Sequence, residues 1–143
     1  MTLVEVLKDD VKRRQVAKDG AVIVNEEVSA KRGLRAAALK AGFKTIKKIK
    51  PSIIEDSLFM LLPHFAPEID PWWDNAVASG DTREFFRTNS GKIADSLLGV
   101  TDRRAQRAKN RVMIRVYKGL RGQALKYTTE SVHRLPDLVE KYV

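Results

Sequence analysis

The chain has 143 residues, 43% of them apolar and 31% charged, with no cysteine and a formal net charge of +9 from 27 basic and 18 acidic side chains. This composition fits one domain large enough to bury a core without cross-links, and it excludes disulfides, thiolate nucleophiles and cysteine-ligated zinc. The basic excess favours an acidic partner: nucleic acid, an anionic membrane or an acidic protein.

Thr2, with Glu5 three residues later, has the spacing of a capping box that starts a helix. Leu3, Leu7 and Val11, flanked by Val4, give that helix an apolar face, and Asp19-Gly20 is expected to close it. The opening MTLVEVLKDD has neither the basic nor the apolar region of a signal peptide. No apolar run reaches the ~18 residues that span a bilayer, so a cytoplasmic location with no transmembrane segment is expected. Residues 21–32 keep helical spacing at Ala21, Val24 and Val28 and read as helix.

Gly33 leads into a segment with Leu34, Ala38, Ala41, Thr45 and Ile49 on one stripe and Lys40, Lys44, Lys47 and Lys48 on another. Gly42 is a candidate break within it. Lys50-Pro51 ends it, because the residue before a proline is pushed out of the helical region. The next stretch, SIIEDSLFMLL, is the most apolar in the chain and reads as the central core helix.

Residues 63–80 hold three of the five prolines and both tryptophans, so an irregular connection is expected, followed by a short helix from Pro71. Asp81 with Glu84 then forms a cap, Ser90 caps a short helix over KIADSLLG, and Thr101 caps a long basic one. One or two helices close the chain around Pro136. The fold class that follows is all-α: a single-domain multi-helix bundle over residues 1–143, with roughly seven or eight helices.

Residues 101–121 carry six arginines, two lysines and one acid, Asp102, a local charge of +7. Read as one helix, the segment places Ala105, Ala108, Val112, Met113, Val116 and Leu120 on an apolar side. Arg104, Arg107, Arg111, Arg115 and Lys118 fall on the opposite flank, with Arg103 and Arg121 at its edge. Neighbouring like charges three and four residues apart repel unless an acid or a ligand offsets them. Residues 31–50 are as basic, with eight cations and no acid.

The run IADSLLGVTDRRAQR resembles the second half of a bacterial helix-turn-helix unit. Ile93 and Ala94 match the packed first helix, Gly99 the turn glycine, Val100 the buried turn residue and Thr101 the cap of the recognition helix. The resemblance implies that Arg103, Arg104 and Arg107 meet bases or phosphates. Leu97-Leu98 adds one residue before the glycine, and the segment is poor in the Asn, Gln and Ser side chains that read bases. Phosphate holding survives these departures better than sequence-specific readout.

The remaining constellations are weaker. His64, Glu68, Asp70 and Asp74 form the one cluster resembling metal ligands, but Pro67 disturbs the helix that would align His64 with Glu68. Trp72-Trp73 suggests a stacking platform, yet adjacent helical residues point about 100° apart, so core packing for at least one is favoured. Ser90-Gly91-Lys92 lacks the glycine and strand of a phosphate-binding loop. No nucleophile sits beside a base in sequence, and no cofactor or metal motif is present.

The expected function is a non-enzymatic basic helical protein that binds nucleic acid through phosphates, using Arg103, Arg104, Arg107, Arg111, Arg115, Lys118, Lys40, Lys44, Lys47 and Lys48. The alternative is an interaction domain for an acidic partner protein. A solvated charged face is the competing explanation for both basic segments.

Overall fold

Thr2 does cap a helix, accepting the Glu5 amide at 3.1 Å, but that helix is short: α1 covers Leu3–Val6. Asp9 then accepts the amides of Val11 and Lys12 and starts α2, Asp10–Ala30. Gly20, expected as a terminus, lies inside α2, where a Cβ would stand 3.1 Å from the Leu58 side chain. The remaining helices are α3 (Leu34–Ile49), α4 (Ile53–Ser79), α5 (Thr82–Thr88), α6 (Ser90–Gln106), α7 (Arg111–Ser131) and α8 (Leu135–Tyr142), with a 3-10 turn at Val132–Arg134. The computed structural model describes residues 1–109 and 111–143, without the side chains of Val112, Met113 and Val116. The described residues are all-α and contain no strand.

The chain divides into two compact units, residues 1–63 with 142–143, and residues 64–141. In the first, Leu3, Val6, Leu7, Val16, Ala17, Ala36 and Leu62 are buried. Gly33, at φ 101°, adopts a conformation that side chains resist, and it turns the chain from α2 into α3. Lys47 reaches back to Asn25 at 2.9 Å, so α2 and α3 run antiparallel. Gly42 does not divide α3. Tyr142 donates to Asp19 at 2.5 Å.

In the second unit Ala66, Ile69, Trp73 and Ala76 recur at steps of three and four along α4 and are buried. Trp73 meets Phe86 edge-on at 6.4 Å, and Ile93, Ala94, Leu98, Val100 and Val139 join the core. Val132, in the 3-10 turn, is 1% exposed at a point touched by α5, α6 and α7.

The prolines correct the reading of residues 63–80. α4 runs unbroken through Pro63, Pro67 and Pro71. Each proline lacks an amide proton and crowds the carbonyl four residues earlier, which normally kinks a helix. Here a spacing of four places all three on one side, and all three are exposed, so the disruption accumulates away from the packed side. At the first of them the chain supplies a substitute donor. Arg13 Nε donates to the Phe59 carbonyl, the one Pro63 leaves unpaired, at 2.6 Å.

Candidate anion-binding site

The single basic helix expected over residues 101–121 does not exist. α6 ends at Gln106, residues 107–109 leave the helix, and α7 begins at Arg111. Thr101 pairs with Tyr117 and Asp102 with Arg121, so the two helices run antiparallel as a hairpin. The same geometry overturns the helix-turn-helix likeness, because Gly99, Val100 and Thr101 lie inside α6 with no turn there. Thr101 is not a cap; its hydroxyl lies 2.9 Å from the Leu98 carbonyl, as helical threonines commonly do. Of the expected apolar stripe, Val112, Met113 and Val116 lie outside the described side chains, Leu120 is exposed and Ala105 is half-buried.

Asp102, the one acid of the segment, is consumed internally. Arg121 grips it with two donors, Nη2 at 2.9 Å and Nε at 3.3 Å, and Tyr117 donates its hydroxyl at 2.5 Å. Thr101 donates to the Leu98 carbonyl and Tyr117 to Asp102, and the two hydroxyls lie 2.8 Å apart. The Arg121 bond, then the Tyr117 bond, hold the Asp102 carboxyl below the ordinary carboxylate range. Burial, then Asp102, pushes the Tyr117 phenol up. This network fixes the register of the hairpin and cancels one positive charge, that of Arg121.

The other cations fall into two groups. Arg103 donates to Glu68 at 3.2 Å, and Arg104 to His64 Nε2 at 3.2 Å, which makes that ring nitrogen the acceptor. Arg107, Lys109, Arg111, Arg115 and Lys118 are exposed and carry no ion pair among the described residues. Arg107, Lys109 and Arg111 flank the reversal, and Arg115 and Lys118 follow one and two turns along α7. Outside residues 101–121 the same unit carries six basic and nine acidic side chains, so positive charge is concentrated in this segment.

The lysines of α3 are not gathered in the same way. Lys47 is half-buried on Asn25, Lys40 is half-buried, and Lys44 and Lys48 are exposed. The apolar stripe of Leu34, Ala38, Ala41, Thr45 and Ile49 is exposed at every position. The side turned inward instead holds Ala36, with Leu39 and Phe43 half-buried.

A family model matches residues 3–143. The chain belongs to the DUF6918 family, a family of unknown function. No curated protein and no solved structure matches it. Among the described residues of this DUF6918 chain no three His, Asp or Glu side chains are grouped to hold a metal ion. His64 and Glu68 do align along the continuous α4, and each meets an arginine of α6. Trp73 is buried and Trp72 half-buried, donating to Ser96 at 3.4 Å, so the pair forms no open stacking surface. No described helix is long and apolar enough to cross a membrane.

The network closing the hairpin was not visible beforehand. Its signal was Asp102 standing alone among eight cations, the one place where an internal counter-charge had to be used.

Proposed function

We propose that the protein binds nucleic acid through its phosphates at the reversing end of the α6–α7 hairpin. The observation that supports this is the group Arg107, Lys109, Arg111, Arg115 and Lys118, exposed and without ion pairs among the described residues, beside an acid already occupied by Arg121. Like charges at such spacing cost a few tenths of a kcal/mol per pair in the free protein. A polyanion reverses that cost, since each phosphate neutralised releases condensed counterions. Three of the five are arginines, whose planar forks suit phosphate oxygens. The set is poor in the amide side chains that read base edges, so affinity should depend little on sequence. Arg103 and Arg104, held by Glu68 and His64, frame the site. Lys40, Lys44, Lys47 and Lys48 of α3 belong to the other unit.

The test is fluorescence anisotropy with a duplex DNA and an RNA of matched sequence across a salt series. Four or five phosphate contacts predict that log K falls against log salt with a slope of about −4 for the duplex. Absent binding, or binding indifferent to salt, would reject the reading.

A further inference from the structure

α3 carries an apolar face that is exposed among the described residues. Leu34 is 92% exposed, Ile49 81% and Ile46 41%, with exposed Ala38, Ala41, Gly42 and Thr45 between them. Thr45 spends its hydroxyl on the Ala41 carbonyl at 2.9 Å, so it makes little polar demand on that face. Lys44 and Lys48 border the face on one side and Arg35 on the other, all exposed, and residues 31–50 contain no acid. The helix is 16 residues long, roughly 24 Å.

We infer that this face docks an acidic amphipathic helix of a partner protein. Leu34 and Ile49 stand at the two ends as anchors. The small side chains between them, with open space above Gly42, let a second helix axis approach closely. The bordering cations call for acids flanking the partner's apolar seam. A second copy of the chain would set the same cations against one another with no acid to answer them, which disfavours self-association. A lipid surface would reward bulk along the whole face, and here the bulk lies at the ends. Phosphate contacts would leave the apolar stripe in water.

The test uses the full chain and a fluorescein-labelled synthetic helical peptide with an alanine and leucine seam flanked by glutamates, beside a control with lysines in their place. The glutamate peptide binds saturably and the lysine peptide does not. Leu34→Glu with Ile49→Glu weakens binding at least tenfold, and Lys44→Glu with Lys48→Glu weakens it several-fold while gaining affinity for the lysine peptide. These positions are exposed, and circular dichroism confirms unchanged helicity in each variant. Lack of binding by the glutamate peptide, or binding indifferent to Leu34→Glu with Ile49→Glu, overturns the proposal. Binding of the chain to anionic phosphatidylglycerol vesicles, or a dimer in sedimentation, also overturns it when Leu34→Glu with Ile49→Glu abolishes that behaviour. Arg111→Ala with Arg115→Ala leaves peptide binding intact, so this test stands or falls separately from that of the hairpin.

Discussion

Arg13 donates from Nε to the Phe59 carbonyl at 2.6 Å, while its guanidinium lies 3.9 Å from the centroid of the Phe59 ring. One side chain thus replaces the amide proton missing at Pro63 and stacks on the residue whose carbonyl it serves. Arg14 adds a second guanidinium over the same ring, at 4.1 Å. Replacing Arg13 by Ala should cost about 2–4 kcal/mol, the range for a hydrogen bond from a charged donor plus a partly exposed cation–π contact. In a Pro63→Ala background the backbone donor returns, and the same substitution should cost less by at least about 0.5 kcal/mol. Urea denaturation of the four chains measures this coupling; equal costs in both backgrounds would refute the substitute-donor role.

Asp56 collects Arg14 at 3.0 Å, Lys50 at 2.9 Å and Ser52 at 2.9 Å. The bonds from Lys50, then Ser52, then Arg14 hold its pKa at about 2, against an ordinary 3.8. A depressed acid contributes stability that is complete above its unfolded pKa and is lost as the pH falls through its folded one. Between about pH 4 and pH 2 the wild-type urea midpoint should therefore fall more steeply than that of Asp56→Asn. Parallel curves over that window would count against the assignment.

Gly42 lies inside α3 with open space where a Cβ would stand. Gly42→Ala should stabilise the protein by about 0.5–1 kcal/mol through helix propensity alone. Thermal unfolding reads the gain, and a loss would mean that the position is packed after all.

At the hairpin, Arg107→Ala, Arg111→Ala and Arg115→Ala should each lower the magnitude of the salt slope for duplex DNA by about one, without changing sequence preference. Tyr117→Phe removes one bond to Asp102 and should cost about 1 kcal/mol of stability while leaving that slope unchanged. A slope that drops in Tyr117→Phe as far as in Arg111→Ala would show that hairpin register, and not charge, controls binding.

Some local signals were legible where a single residue decides the outcome, although Ser90 is the first residue of α6 and not its cap. Thr2 and Asp81 cap as their chemistry requires, and Pro51 separates α3 from α4. The misreadings share a cause in tertiary structure. The prolines of α4 act as breakers one at a time, yet spaced by four on an exposed side they leave the helix continuous, with Arg13 supplying a donor from 46 residues away. On α3 the wheel correctly grouped Leu34, Ala38, Ala41, Thr45 and Ile49, but periodicity states which residues share a side and not which side is turned inward. The break at residues 107–109 had no proline or glycine to announce it. It follows from Asp102 meeting Tyr117 and Arg121, contacts that require the chain to fold back.

Both tryptophans of the protein, Trp72 and Trp73, sit in the part of α4 that belongs to residues 64–141, and the unit built from residues 1–63 has none. Indole emission is therefore a built-in reporter for one half of the molecule, while far-ultraviolet circular dichroism sums over both. The wild-type chain needs no added label for its halves to be followed separately through a melt.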